Sequence, residues 1–227
     1  MFEGISIEKI SFHLPDKIEY NEQLDIQNPN WNVHEVAKKT GILQRHLTQE
    51  KETAVDIAYE ACKKLMKDYK LSNESIDALI LVTQSPDYAL PSSSCILQER
   101  LKLNNHILAF DISLGCSGFV NALSIVLSLI SSRTISNCIL ICAETYSKYI
   151  NPLDRTNKLI FSDASSACFI ERNKKSETKI YPFTFGCDGS GANNLIVENS
   201  GVRKSLKNKS KKELYMNGPA ILLFTLT

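Results

Sequence analysis

The sequence predicts an α/β fold, a mainly parallel or mixed sheet with helices on both faces. Three observations lead to it. Ala78-Leu-Ile-Leu-Val82 and Cys138-Ile-Leu-Ile-Cys142-Ala143 are short, β-rich and apolar at every position, as in strands covered on both sides. Helical patterns separate these runs, so strand and helix alternate along the chain. From Asp111 to Arg133 no charged residue intervenes. There a β-rich run, Ile107 to Ile112, passes through a glycine-flanked turn into a long helical pattern.

Each element has its own signal. Ile5-Ser-Ile-Glu-Lys-Ile-Ser-Phe12 alternates and reads as a strand, ended by His13-Leu14-Pro15. The stretch from Asn30 to Ile42 holds the only tryptophan, Trp31, a residue type that usually packs or caps a core. Thr53 to Tyr69 is an amphipathic helix with Ala54, Ala58, Ala61, Leu65 and Tyr69 on one face, broken by Ser72-Asn73. Thr83 to Pro91 is a loop, and Ser92 to Leu103 a helix with Pro91 just ahead of it. In the helix after Gly118, Asn121, Ser124 and Ser128 recur at helical spacing and the remaining circumference is apolar. That pattern implies burial on nearly every side.

Further on, Asn151-Pro152-Leu-Asp154-Arg155 is a turn, and the segment to Ile170 ends in a strand. Cys187-Asp-Gly-Ser-Gly191 is a glycine-rich turn at which no helix is expected to begin, so it does not read as a phosphate cradle. Arg203, Lys204, Lys207, Lys209, Lys211 and Lys212 form a basic run, by default a solvated loop.

Composition narrows the function classes. A net charge of +1 implies no strong field for nucleic acid or for a membrane surface. The uncharged stretch is long enough to span a bilayer, but two glycines, six serines and one asparagine suit it poorly to that. The seven cysteines are scattered and odd in number, and Met1-Phe-Glu-Gly leads straight into a strand pattern rather than a secretory segment. A reducing cytoplasm with free thiols is the expectation. No CxxC or Cys/His cluster has zinc spacing, and the four histidines stand alone, so no metal is expected.

Chemistry concentrates at Cys116, where the strand gives way to the long helix. A thiol there lies near the free N–H groups and the positive end of the helix dipole, which favours the nucleophilic thiolate. Gly115 and Gly118 leave room for a tight turn and for a substrate to approach the backbone. The turn resembles a nucleophile elbow with sulfur in place of oxygen. The alternative is a cysteine serving as a small core hydrophobe.

The segment Asp111-Ile-Ser-Leu-Gly-Cys116-Ser-Gly-Phe119-Val-Asn-Ala-Leu resembles the active-site segment of the β-ketoacyl-ACP synthase III family, condensing enzymes of thiolase-like fold. The resemblance implies a layered αβαβα fold with the first half complete and the second largely missing. It divides the chain into an N-terminal thiolase-like half with the nucleophilic cysteine (1–172), a strand and basic loop excursion (173–214) and the start of the C-terminal half (215–227). It implies that Cys116 accepts an acyl group from acyl-CoA as a thioester, before decarboxylative condensation with malonyl-ACP. Coenzyme A enters as substrate, and no cofactor is implied. Trp31 matches the residue that stacks on the adenine, and Lys39 stands where the family has an arginine before Thr-Gly. Arg45 and His46 match a basic pair whose simplest role is structural. Arg155 matches an arginine that meets the CoA phosphates or the carrier protein, and Phe161 a residue beside the cysteine. Leu90 matches a side chain lent to the partner's acyl pocket across a homodimer. The alternative to a solvated loop for the basic run is a dock for an acidic acyl carrier protein. No residue of this sequence matches the family's His and Asn. Acyl transfer to an alcohol, amine or sugar without condensation, and a non-catalytic partner subunit, remain as other readings.

Overall fold

The structure, a computed structural model, describes residues 2–173, 175, 179–203 and 212–226. Strands β1 (Phe2–Glu3), β2 (Ile5–His13) and β3 (Lys17–Tyr20) are followed by helices α1 (Asn21–Gln27) and α2 (Val33–Thr40) and strand β4 (Gln44–Leu47). Helix α3 (Ala54–Asp68), strand β5 (Ala78–Val82), helix α4 (Ser93–Arg100), strand β6 (Leu108–Ile112), helix α5 (Gly118–Ser131) and strand β7 (Asn137–Glu144) then alternate. Helix α6 (Arg155–Lys158), strands β8 (Ala164–Arg172), β9 (Lys179–Ile180), β10 (Leu195–Val197) and β11 (Leu214–Met216), and helix α7 (Gly218–Leu226) follow.

Two compact units form. The first comprises residues 1–17, 46–145 and 163–183. Its centre is a five-stranded sheet in the order β2-β8-β7-β5-β6. β5 runs parallel to both β6 and β7, while β8 is antiparallel to β7 and to β2. The sheet is therefore mixed: the alternating run from β5 to β7 is parallel, and β8 and β2 join it antiparallel.

All five residues of β5 are buried. Leu79 and Leu81 point to one face, where α3 and α4 contribute Ala58, Ala61, Leu65 and Leu97. Ala78, Ile80 and Val82 point to the other, where α5 contributes Ala122, Val126, Leu127 and Ile130. This two-residue alternation into two separate cores explains why the run is apolar throughout. Helix α3 starts at a capping box, in which the Thr53 side chain accepts from Asp56 N–H and the Asp56 carboxylate accepts from Thr53 N–H.

Helix α5 departs from the sequence expectation. Its buried residues are Gly118, Ala122, Val126, Leu127 and Ile130, a single stripe, while Phe119, Val120 and Ile125 are exposed. Within the first unit only one face of this helix meets the sheet. A mostly apolar circumference records what a helix can tolerate against it, not what the described residues supply.

The second unit comprises residues 18–45, 146–162 and 184–227. Leu24, Val33 and Leu159 are buried together, with Trp31 and Val36 packed against them. Gly41 ends α2 in the left-handed region, at φ 74°, with its N–H on the Ala37 carbonyl at 2.8 Å. This conformation accounts for the glycine of the Thr40-Gly41 pair. β10 and β11 pair antiparallel. A 3-10 helix spans Gly189–Asn194, so the glycine-rich turn does begin a short helix, with the Asp188 carboxylate accepting from Ser190 N–H at 2.9 Å. Helix α7 buries none of its residues, and Leu222, Leu223, Phe224 and Leu226 are exposed.

Candidate functional site

The first unit places Cys116 at the carboxyl ends of the parallel strands. The connection leaving β5 runs into α4 on one face, and the connection leaving β6 runs into α5 on the other. Neighbouring strands whose connections part to opposite faces open a crevice at their carboxyl ends, the usual ligand position in open α/β sheets. The turn from Ser113 to Ser117 sits at that crevice.

Backbone hydrogen bonds fix the turn. Leu114 N–H donates to the Ile112 carbonyl at 3.0 Å and Gly118 N–H to the Gly115 carbonyl at 2.7 Å. Asn121 donates from its backbone N–H and its Nδ2 to the Ser117 carbonyl, at 3.0 and 2.9 Å. Ser117 is the N-cap of α5, and Cys116, one residue earlier, is exposed. The two glycines have distinct steric reasons. A Cβ on Gly118 would lie 2.5 Å from Val82 Cγ1, because the first turn of α5 rests on the end of β5. A Cβ on Gly115 would collide with the side-chain oxygen of Gln84, on the loop leaving β5.

Three carboxylates that sequence reasoning missed brace this crevice. Asp111 accepts from the N–H groups of Ser93 and Ser94 at 2.6 and 2.8 Å, capping α4. Asp87 accepts from Thr53 Oγ1 at 2.9 Å and Val55 N–H at 3.2 Å, holding its loop to the start of α3. Glu144 accepts from Gln84 N–H at 2.6 Å and from Ser85 Oγ at 2.8 Å, and Ser85 Oγ in turn accepts from Thr145 N–H at 2.9 Å. Burial pushes the Glu144 carboxyl up to about 7, with Asp163 adding repulsion and the Gln84 and Ser85 hydrogen bonds opposing. All three pairings join residues far apart in sequence, so no local motif announced them.

Surroundings sort the seven thiols. Cys62, Cys138 and Cys168 are buried and Cys142 is half-buried. Burial pushes Cys142 up to about 11 and Cys168 up to about 12, and raises Cys62 and Cys138 further. Cys95, Cys116 and Cys187 are exposed, and of these Cys116 alone stands at the crevice. Leu90, also in the first unit, is 82% exposed on the loop after β5.

Of the other residues singled out from sequence, Trp31, Lys39, Arg45, Arg155 and Phe161 lie in the second unit and His46 in the first. Trp31 ends the 3-10 turn Pro29–Trp31, half-buried against Leu24, Val33 and Leu159. Lys39 is exposed on the last turn of α2. Arg155, exposed, opens α6, whose N-cap Asp154 accepts from Thr156 N–H at 3.0 Å and Asn157 N–H at 3.2 Å. Phe161 is half-buried, edge-on to Tyr146 with ring centroids 5.3 Å apart. Arg45 is buried in an ion pair with Glu19, which also meets Lys158 at 3.6 Å, and His46 Nδ1 bonds to the Pro15 carbonyl at 2.7 Å. These partners agree with a structural role for the basic pair. Lys204, Lys207, Lys209 and Lys211 of the basic run lie outside the described residues. Among the described residues, no group of three or more His, Cys, Asp or Glu could hold a metal ion, and no helix is long and apolar enough to cross a membrane.

Comparison with known proteins converges on one family. The family model described as 3-oxoacyl-[acyl-carrier-protein (ACP)] synthase III matches residues 110–189, which include the Cys116 turn. The β-ketoacyl-[acyl-carrier-protein] synthase III of Caldanaerobacter subterraneus subsp. tengcongensis is 32% identical over 221 residues, covering 94% of this chain and 65% of the relative. A crystal structure of a 3-oxoacyl-(acyl-carrier-protein) synthase III superposes with a TM-score of 0.91 at 37% identity, covering 98% of this chain and 70% of the other. The Burkholderia xenovorans LB400 3-oxoacyl-(acyl-carrier protein) synthase superposes with a TM-score of 0.89 at 32% identity, over all of this chain and 66% of that one. The chain thus spans about two thirds of the length of these relatives.

Proposed function

Because this chain belongs to the 3-oxoacyl-[acyl-carrier-protein] synthase III family, we propose that Cys116 accepts an acyl group from acyl-CoA. The Cys116 thiolate attacks the thioester carbonyl, the tetrahedral intermediate collapses, and coenzyme A leaves as its thiolate and takes up a proton. The Cys116 N–H, at the approach to α5, is offered as one donor to the oxyanion. In the full reaction, a carbanion formed as malonyl-ACP loses CO2 attacks the acyl-cysteine, and the cysteine thiolate leaves. Trp31, Lys39 and Arg155 are assigned to the coenzyme A or carrier-protein side, and Phe161 and Leu90 to the acyl chain. Leu90 serves the acyl site of a second copy, so the reading includes a homodimer. Seven free thiols suit a cytoplasmic location.

The observation that carries the reading is the exposure of Cys116 on a glycine-flanked turn at the crevice between β5 and β6. Intact-mass spectrometry after mixing with acyl-CoA tests it. One acyl group should add to the 227-residue chain and none to Cys116→Ser. Equal acylation of the two proteins would sink the assignment.

A further inference from the structure

We propose that Glu144 is a positioning residue for Cys116, bracing the loop after β5, whose Gln84 side chain in turn braces the Gly115–Cys116 turn. This rests on the reading of Cys116 as the nucleophile. Three pieces of geometry join end to end. The Glu144 carboxylate, at the carboxyl end of β7, takes one hydrogen bond from Gln84 N–H and one from Ser85 Oγ, one on each oxygen. Ser85 is itself tied back to Thr145 N–H and, through its own N–H, to Thr83 Oγ1 at 3.1 Å. The Gln84 side chain then lies over Gly115, in the space a Cβ would fill. A chain of contacts therefore runs from strand β7, across β5, to the residue before the nucleophile.

The chemistry of the brace points the same way. A carboxylate can accept on both oxygens at once, whereas an amide of the same shape presents one acceptor and one donor. Glu144 is half-buried, and the charge of Asp163 at the start of β8 opposes its ionisation. Asp163 is itself held by Thr48 N–H at 2.8 Å and Thr48 Oγ1 at 2.7 Å. Cys142, on the same strand, is the other titratable group whose ionisation is coupled to that of Glu144. Neutralising Glu144 weakens its grip on Gln84 and Ser85, because charge-assisted hydrogen bonds are roughly twice as strong as neutral ones. The brace therefore tightens as Glu144 ionises.

The test is the rate of Cys116 alkylation by iodoacetamide, read by peptide mass spectrometry on the full chain from about pH 5.5 to about pH 9. The variants are Glu144→Gln and Gln84→Ala, with thermal melts to verify folding. In the unmodified protein the rate should rise in two steps, one as Glu144 ionises near neutrality and one as the thiol ionises. The first step should be roughly threefold to tenfold, a fraction of the ~10² that a 1 Å misplacement can cost. Both variants should lose it. Gln84→Ala separates the brace from a direct charge effect, because Glu144 still titrates there. A first step that persists in Gln84→Ala, or is missing from the unmodified protein, overturns the proposal. Failure of acyl-CoA to load a normally two-step Cys116 would count against the acyl-transfer reading and leave the brace standing.

Discussion

The two units bury their chains in different ways. In the first, β5 is covered on both faces and each face has its own apolar cluster. In the second, Leu24, Val33 and Leu159 form a small cluster, Arg45 is buried in an ion pair, and α7 buries nothing. Cys116, the proposed nucleophile, belongs to the first unit and Trp31, Lys39, Arg155 and Phe161 to the second. A nucleophile must be held in one position, and a two-faced core supplies that rigidity. Residues assigned to the coenzyme arm lie on surfaces with thinner support, where exposed side chains such as Lys39 and Arg155 keep their rotamer freedom.

The largest expected effect lies at Cys116. Cys116→Ala should abolish acyl loading and remove the fastest-alkylating thiol, yet change stability by no more than about 0.5 kcal/mol, because the side chain is exposed. A melting point that fell sharply would mean that the turn depends on this side chain as the sheet depends on its buried ones. Next comes the two-faced core. Leu81→Ala, at a position with 0% exposure, should cost about 2–5 kcal/mol by urea unfolding. A loss under about 1 kcal/mol would erase the contrast between the units.

A pH effect follows. The Glu144 carboxyl is raised by burial to about 7 from 4.5. A raised carboxyl binds its proton more tightly in the folded state, so its contribution to stability is full below the unfolded value and is lost as pH rises through about 7. Relative to Glu144→Gln, the unmodified protein should therefore lose roughly 2–3 kcal/mol between about pH 4.5 and about pH 7.5. Glu8 and Asp56 shift the other way, Glu8 through the Asn173 and Ser6 hydrogen bonds and Asp56 through its Thr53 and Arg100 partners, against the burial that opposes it. Both are present in both proteins, so the difference isolates Glu144. Parallel stability curves would remove the desolvated carboxylate from the account. The smallest effect belongs to the second unit. Leu222→Ala, on an exposed face of α7, should shift stability by no more than about 0.5 kcal/mol. A loss near that of Leu81→Ala would show that α7 is covered in solution.

Much of the first unit was legible from sequence because its signals are local. Ala78–Val82 and Cys138–Ala143 are apolar at every step, and Thr53 caps a helix whose buried stripe includes Ala54, Ala58, Ala61 and Leu65. The glycines of the Gly-Cys-Ser-Gly turn were legible as the mark of a tight turn, and both answer a steric demand, from Gln84 and from Val82. The half-exposed state of α5 was not legible, since its apolar circumference is the same whatever the neighbouring chain provides. Nor were the roles of Asp87, Asp111 and Glu144. A carboxylate that meets an N–H sixty residues away, as Glu144 meets Gln84, leaves no trace in a local pattern.

The close seating of Gly118 on Val82 links two properties usually treated apart. Val82 is a core residue, 3% exposed, and its methyl group fills the space that any side chain at 118 would need. Volume at position 82 and volume at position 118 are therefore one shared quantity. A larger residue in the strand would push the first turn of α5, and the thiol with it, outward. A smaller one would open room at 118 and let the helix start drift. The sulfur's position is in this sense gauged by the thickness of the strand beneath it, and a side chain added at 118 calls for a smaller one at 82.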